Sequence, residues 1–323
     1  MNTLILDANS AADVAHCAQL LKQGQLVAVP TETVYGLAAD ATNPAAVSAI
    51  FSAKGRPAHH PLIVHLADKT QLPHWASRIS SAAYALAEAF WPGPLTLLLP
   101  KADHVSPVVT GGLSSVGLRV PAHPVLLALL QQQQLALAAP SANLYKKLSP
   151  TSAQQVMAGL NGRISAVLDG GPCAFGLEST IVDLTGTVPT IVRAGPISAA
   201  QLAAVLGQPV AQPQQHNVAV PGNVKAHYQP DTPLLVFSHE ALRLQLPQQR
   251  QPVVVLSYSG LTAVAPHLSI AMPAEPAAYG RMLYQQLFQA DALGVSAIWC
   301  ELPPAQDNWR AVLDRLSRAA SSG

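Results

Sequence analysis

The chain has 323 residues, of which half are hydrophobic and 11% are charged, and its formal net charge is +1. This length exceeds one ordinary hydrophobic core and suits two domains. Because the net charge is close to zero, no global field favours nucleic acid or a membrane surface, and a polyanion has to be met by a local cluster of cations.

The composition also indicates a compartment. The N-terminal residues MNTLILDANS have no basic region and only a short apolar run, and no stretch reaches the ~18 apolar residues of a membrane span. The three cysteines lie far apart and form no CxxC pair, which argues against a disulfide framework or a cysteine zinc site. We therefore expect a cytoplasmic protein with reduced, buried thiols and no membrane segment.

Helical and strand patterns alternate up to Gly207. Ser10 caps the first predicted helix, which ends at Gly24, and Asn43 with Pro44 opens the second. Further helices are predicted over 81–90, 123–134 and 149–160, the last with Ser149 and Pro150 at its start. Strands are predicted over 25–29, 61–66, 95–100, 116–121, 135–140, 166–171, 179–184 and 190–195. This alternation predicts an α/β domain over residues 1–208.

The pattern changes after Gly207. Residues 209–232 are rich in Pro, Gln and Asn, show no period and exceed a routine loop, so they predict a linker that is either disordered or functional. Strand patterns at 233–237, 252–258 and 296–302 and helical patterns at 276–294 and 308–320 follow the linker. They predict a second, smaller α/β domain over 233–323 with a parallel sheet.

Six polar clusters follow strands or open helices, where α/β folds carry their sites. They are PTETVYGLA, KGRPAHHPLIVH, SSVGLRVP, APSANLYKKLSPT, GLESTIVD and IVRAGPIS. Each member alone has an ordinary explanation, such as a solvated cation, a helix cap or a core histidine. Together, Lys54, Arg56, Arg119 and Arg193 supply cations and several hydroxyls supply neutral donors, which suits a phosphate-bearing ligand. The common phosphate-loop, dinucleotide, zinc-protease and serine-hydrolase motifs are absent.

In this order the clusters resemble the YrdC family, the L-threonylcarbamoyladenylate synthases of the long, two-domain type. The linker piece PGNVKAHYQP is similar to that family's proline-glycine…histidine-tyrosine-proline stretch. The resemblance covers nearly the whole chain up to Pro230. It implies a YrdC-like twisted open α/β sheet in the N-terminal domain and a smaller, Rossmann-like α/β domain at the C-terminus.

The resemblance also implies an activity and its partners. The family makes threonylcarbamoyl-AMP and diphosphate from L-threonine, hydrogencarbonate and ATP, with Mg²⁺ expected on the triphosphate. A threonylcarbamoyl transferase complex then modifies the tRNA adenosine next to the anticodon. The resemblance leaves open whether this chain contacts tRNA directly and what its C-terminal domain does.

The family's motifs assign residues of this chain to the two substrates. They imply that L-threonine contacts Thr31, His65, Arg119, Ser179 and the backbone at Ala139. They imply that ATP contacts Lys54, Arg56, Ala58, Ser115, Ser141, Asn143, Ser149 and Arg193, and that Tyr228 in the linker closes over the nucleotide. Lys225 and His227, in the same linker, are residue types that stack on a base or touch phosphate, so we expect the linker to act as a lid. Glu32 is either a base or a carboxylate that orients Lys54 or a backbone amide, and we favour the second role.

The chain departs from the family's pattern at two places. Tyr145 and Lys146 stand where Ser-Gly is usual, and Asn223 and Val224 replace a commoner Met-Lys pair. The first departure puts the loop that carries Ser141 and Ser149 in question, and the second affects the contacts of the lid.

Two other functions stay open from the sequence. The first is an RNA-binding YrdC-like module without catalysis, which the low net charge and the absence of long basic runs oppose. The second is adenylation of carbamoyl phosphate by a similar domain. Proteins with that chemistry carry zinc-finger and acylphosphatase segments, which are not found in this sequence.

Overall fold

The structure is a computed structural model that describes residues 2–213, 216–222, 224 and 226–320. These residues form two compact units. The first unit comprises residues 2–145, 150–174 and 178–222 as far as they are described, and the second comprises 146–149, 175–177 and the described residues from Val224 onward. The division falls inside the predicted linker 209–232, and two short segments that precede the linker belong to the second unit.

The first unit contains a mixed ten-stranded sheet flanked by helices. Its strands are β1 (Leu4–Asp7), β2 (Val27–Val29), β3 (Gly36–Asp40), β4 (Ile63–His65), β5 (Leu95–Pro100), β6 (Ser115–Arg119), β7 (Leu137–Ala138), β8 (Ala166–Asp169), β9 (Thr180–Asp183) and β10 (Thr190–Arg193). Its helices are α1 (Ala11–Lys22), α2 (Pro44–Lys54), α3 (Leu72–Trp75), α4 (Ser81–Phe90), α5 (Pro107–Thr110), α6 (Pro124–Gln133), α7 (Ala153–Leu160) and α8 (Ala199–Leu206). The strand order is β1-β8-β2-β3-β7-β4-β6-β5-β9-β10.

Side chains that alternate along a strand enter two different hydrophobic clusters. Val27 and Val29 of β2 pack with Leu21 of α1, whereas Ala28 packs in the cluster that contains Ile50 of α2. This is the period of two expected for a strand, with apolar cover on both faces of the sheet. Such strands appear in the sequence as continuous apolar runs, and every strand predicted in this unit is confirmed.

Local hydrogen bonds fix where the helices begin. The Ser10 hydroxyl accepts the Asp13 amide at 3.3 Å, and Asn43 Oδ1 accepts the Ala45 amide at 3.1 Å, so both predicted caps are confirmed. The start predicted for α7 was wrong: Ser152, not Ser149, is the N-cap. The reason is that the Pro150 carbonyl accepts the Tyr35 amide at 2.9 Å, which ties this segment to the β2–β3 loop.

The second unit is built on a four-stranded, wholly parallel sheet, as predicted. Its strands are β11 (Leu234–Phe237), β12 (Val253–Ser257), β13 (Leu268–Ala271) and β14 (Ala297–Glu301), and its helices are α9 (His239–Gln245), α10 (Pro276–Asp291) and α11 (Arg310–Ala319). The strand order is β11-β14-β12-β13. The sequence analysis missed the edge strand β13, which is largely exposed and therefore lacks a continuous apolar run.

The described part of the linker is ordered against both units. The Ile191 amide of β10 donates to the Ala211 carbonyl at 2.8 Å, and Val220 is buried with Ile63 and Val192 in the first unit. Beyond Val224, the Tyr228 ring is buried in the second unit. Asn223 and Lys225, which the sequence analysis assigns to the lid, lie outside the described residues.

Tyr228 is held in an unusual conformation. Its φ is +60°, in the left-handed region that bulky residues seldom adopt. Its ring lies 5.7 Å from the Tyr284 ring and 5.2 Å from the guanidinium carbon of Arg315. The packing of this ring in the second unit therefore accompanies a strained backbone.

All three cysteines are free and buried, as predicted. Within the described ranges, no helix combines the length and apolar character needed to cross a bilayer.

We expect Tyr228→Ala to destabilise the second unit. Truncating a buried aromatic side chain costs about 3–5 kcal/mol, so urea unfolding of the full chain should show an earlier transition. Tyr228→Phe keeps the ring and is the matched control, which should retain most of the stability. An unchanged midpoint for Tyr228→Ala would contradict the observed packing.

Candidate functional site

Parallel pairing brings two predicted threonine contacts together in the first unit. His65 and Arg119 are register partners at the last positions of β4 and β6. Ala139 follows β7, and its amide donates to the Ile63 carbonyl at 3.0 Å. Residues from three predicted motifs therefore lie on three adjacent strands, with His65 and Arg119 at the carboxyl ends of β4 and β6 and Ala139 beside the first residue of β4.

Arg119 forms a buried ion pair with Glu32. Its Nη2 donates to Glu32 Oε1 at 2.5 Å, and its Nε donates to the Gly93 carbonyl at 3.2 Å. The second carboxylate oxygen of Glu32 accepts the Ala122 amide at 3.0 Å. Glu32 therefore orients an amide, as the sequence analysis favoured, but its cationic partner is Arg119 and the predicted Lys54 partner was wrong.

The Thr31 hydroxyl organises the loop between β2 and β3. It accepts the Thr33 and Val34 amides at 3.1 and 3.2 Å and donates to the Val34 carbonyl at 2.7 Å. A hydroxyl that bonds to the backbone two and three residues on is a normal way to build a tight turn. The loop that carries Glu32 is thus fixed by its own side chain.

His65 is neutral at physiological pH. Burial, and then the nearby Arg119 charge, lower the pKa of its imidazole to about 3. Its Nδ1 is buried and has no hydrogen-bond partner within the described ranges. Buried polar atoms are usually satisfied, so this nitrogen suits contact with a ligand.

Cys173 lies beside the same loop, a position that the sequence analysis did not predict. Burial, and then the Glu32 charge, raise the pKa of its thiol to about 12, so it remains protonated. The Cys173 amide donates to the Thr151 carbonyl at 3.0 Å. No spacing in the sequence links Cys173 to Glu32, because the chain segments meet only in the fold.

Ser179, which is predicted to contact threonine, is hydrogen-bonded to Arg193, which is predicted to contact ATP. Arg193 Nη2 donates to the Ser179 hydroxyl at 2.8 Å, and its Nε donates to the Ser179 carbonyl at 3.0 Å. The Thr96 hydroxyl lies 2.7 Å from that of Ser179. The sequence analysis did not select Thr96. It is the one polar side chain in the predicted strand LTLLLP, and a lone hydroxyl in an apolar strand could have indicated a buried polar contact.

Lys54 ends α2 and holds the loop that follows β7. Its buried ammonium donates to the carbonyls of Ser141 and Asn143. Burial, and then the Arg56 charge, lower its pKa well below the usual value. An ammonium has three donors, and the described residues accept from two of them, so one is left for an anionic ligand.

That loop retains a conformation typical of glycine. Lys146, at the place where the family has Gly, has a φ of +69°. A side chain in this region costs roughly 1–2 kcal/mol. The departure from the family's pattern therefore preserves the loop shape at a cost in strain.

Arg56 and Ala58 line a cavity in the first unit. They contribute to a cavity of about 710 Å³ between α2 and α5, together with Phe51, His59 and Val108. Arg56 Nη2 donates to the Pro61 carbonyl at 3.0 Å, which fixes its guanidinium at this wall.

Three predicted site residues take no part in the contacts described above. Ser115 begins β6, about 13 Å along the strand from Arg119. Ser149 and Tyr228 belong to the second unit.

Two family models match the chain. One, described as Telomere recombination (Sua5_yciO_yrdC), covers residues 19–195, and the other, described as Threonylcarbamoyl-AMP synthase, C-terminal domain, covers residues 197–321.

Relatives match over nearly the full length. The threonylcarbamoyl-AMP synthase of Bacillus subtilis is 40% identical over 95% of this chain and 92% of its own, and that of Pyrococcus abyssi is 38% identical over 94% and 92%. A crystal structure of P. abyssi Sua5 complexed with L-threonine aligns with a TM-score of 0.89 at 34% identity, covering 99% of this chain and 98% of that one. The chain therefore belongs to the Sua5/YrdC family of threonylcarbamoyl-AMP synthases.

Proposed function

We propose that this chain forms threonylcarbamoyl-AMP and diphosphate from L-threonine, hydrogencarbonate and ATP. The observation that carries the proposal is the 40% identity to a threonylcarbamoyl-AMP synthase across 95% of the chain. The hydrogen-bonded Ser179–Arg193 pair supports it, because it joins a residue assigned to threonine to one assigned to ATP.

The reaction has two steps. The threonine amine attacks the carbon of carbon dioxide and loses a proton, or attacks the carbon of hydrogencarbonate with loss of water, and either route gives a carbamate. A carbamate oxygen then attacks the α-phosphorus of ATP, and the bond to the leaving diphosphate breaks. Displacement at phosphorus demands alignment and charge neutralisation above all, which suits a site of oriented cations and hydroxyls.

Arg119 is assigned to the threonine carboxylate. Its guanidinium can bind a carboxylate bidentately, and Glu32 and the Gly93 carbonyl already fix its plane. The neutral His65, with Thr31, Ala139 and Ser179, completes the proposed pocket. Preorganisation of this kind reduces the entropy lost when the substrate binds.

The cationic and hydroxyl residues outside this pocket are assigned to ATP. Lys54 and Arg193 are anchored on backbone carbonyls and present charge for the phosphates. The remaining proposed ATP contacts are Arg56, Ala58, Ser115, Ser141, Asn143, Ser149 and Tyr228, the last as part of a lid. Because the intermediate is labile in water, a lid protects it.

We propose that Mg²⁺ binds as a complex with ATP. Within the described ranges, no three His, Cys, Asp or Glu side chains group into a site for a metal ion. Phosphate oxygens and water are common ligands of Mg²⁺ in nucleotide enzymes, so we assign the ion to the substrate and to no protein side chain.

The product is proposed to pass to a threonylcarbamoyl transferase complex that modifies the tRNA adenosine next to the anticodon. Buried free thiols agree with the cytoplasm as the compartment. The alternative of a non-catalytic RNA-binding module gains no support from the curated relatives, which are named as synthases.

We expect ATP cleavage to yield an AMP-containing product and diphosphate only when threonine and hydrogencarbonate are both present. Chromatography with labelled hydrogencarbonate measures the product, and omission of each substrate is the control. Release of ADP and orthophosphate would rule the assignment out.

We expect Arg119→Lys to raise the KM for threonine much more than the KM for ATP. Lysine keeps the charge but loses the planar fork, which should cost about 2 kcal/mol, or roughly thirtyfold in affinity. Arg78→Lys, at an exposed arginine of the same unit, is the matched control. Equal changes in both KM values would remove Arg119 from the threonine pocket.

We expect Glu32→Gln to destabilise the first unit and to raise the KM for threonine without changing the shape of the kcat–pH profile. Removing one partner of a buried ion pair costs about 3–5 kcal/mol. Glu88→Gln, at an exposed carboxylate paired with Lys69, should change stability little. Loss of one limb of the pH profile in Glu32→Gln would instead identify Glu32 as a general base.

A further inference from the structure

The second unit contains a cavity that the proposed reaction does not use. It measures about 700 Å³ and lies between α9 and the loop that joins β12 to β13. Its walls are Leu246, Leu261 and Pro266 on the apolar side and Arg243, Thr262 and His267 on the polar side. Sites that bind small molecules typically have this volume and a lining that mixes apolar with polar groups.

The cavity extends from the carboxyl ends of the parallel strands, at Ser259, to their amino ends, where His267 precedes β13 and accepts the amide of Val253, the first residue of β12. β12 ends at Ser257 and β14 at Glu301, and the β12–β13 loop starts there. Open parallel sheets bind ligands at this edge, where loops rather than strands supply the side chains. The end of the cavity near His239 and Ser259 has this position.

A buried carboxylate fixes one wall of the cavity. Glu301 is 1% exposed and accepts the Ser257 hydroxyl at 2.6 Å, the Ser259 hydroxyl at 2.9 Å and His239 Nδ1 at 2.9 Å. It also accepts the Tyr258 and Ser259 amides at 3.2 Å. Burial opposes its ionisation, but these hydrogen bonds hold the pKa of Glu301 below its usual value.

This network is a costly way to stabilise a small domain. Apolar residues of similar volume often stabilise a core as well as a buried charge does. Its structural effect is to fix His239 and the backbone of Ser259, both of which line the cavity. Rigid support of that kind is what a binding site needs.

The charged and polar side chains of the lining indicate the charge of the ligand. The described lining residues include Arg243, His239 and His267 but no Asp or Glu. Arg243 is exposed, and the described residues offer it no carboxylate partner at ion-pair distance. His267 Nδ1 accepts the Val253 amide at 3.4 Å, so Nε2 is the ring nitrogen left to donate to a ligand.

We propose that this cavity binds a small organic anion, a carboxylate or phosphate monoester with an apolar body. Arg243 and His267 hold the anionic group, while Leu246, Leu261 and Pro266 contact the apolar body. The Glu301 network supports the site without touching the ligand, since its oxygens are already occupied by protein donors.

Calorimetric titration of the full chain tests the proposal with three probes of similar apolar body. These are phenyl phosphate, 3-phenylpropionate and the neutral 3-phenylpropan-1-ol. We expect at least one anion to bind much more tightly than the alcohol. Preference for phenyl phosphate would assign the site to phosphate monoesters, and preference for 3-phenylpropionate would assign it to carboxylates.

Two variants locate the binding site. Arg243→Gln should weaken anion binding about tenfold, as expected for loss of a charge-assisted contact. Arg281→Gln, at an exposed arginine on α10 outside the lining, should leave it unchanged. Both variants should keep wild-type melting temperature and synthase activity. Absence of anion binding, equal binding of the alcohol, or equal effects of the two variants would overturn the proposal.

Discussion

The buried pair of Glu32 and Arg119 is the constraint on which the rest of the first unit's site depends. A lone guanidinium in this position would be strongly unfavourable, because burial removes its hydration. The fold therefore has to bring the β2–β3 loop to the end of β6, and it does so with the Thr31 turn and the Ala122 amide. The same pairing gives Arg119 a fixed plane, which a carboxylate ligand requires, and its charge helps to keep His65 neutral.

The other buried cations are held mainly by backbone oxygens. Lys54 donates to the Ser141 and Asn143 carbonyls, and Arg193 donates to the carbonyls of Ser179 and Pro221. Carbonyl dipoles orient a cation without neutralising its charge, so the positive charge remains available to phosphate. The proposed threonine and ATP sites therefore differ in electrostatics. Arg119 is paired with a carboxylate, whereas Lys54 and Arg193 donate mainly to uncharged backbone carbonyls.

The second unit applies similar physical rules to a different arrangement. One of its buried charges, Glu301, is an anion whose oxygens accept from hydroxyls, amides and an imidazole, and another is Arg315, which is paired with Asp314. The linker is divided between the two hydrophobic environments, with Val220 in the core of the first unit and Tyr228 in that of the second. Its lack of period agrees with this division, since the described residues of the linker form no helix or strand.

The sequence by itself determined the positions of most strands, the caps at Ser10 and Asn43 and the residue types of the site, because these depend on local periodicity, local hydrogen bonds and short motifs. It did not reveal β1, β3 or β13, of which β1 and β13 are short and largely exposed, or the true start of α7, which depends on the contact between Pro150 and Tyr35. The partner of Glu32 was decided only by the tertiary structure. The sequence suggested Lys54 or a backbone amide, and only the path of the β2–β3 loop to the end of β6 brings Arg119 to Glu32.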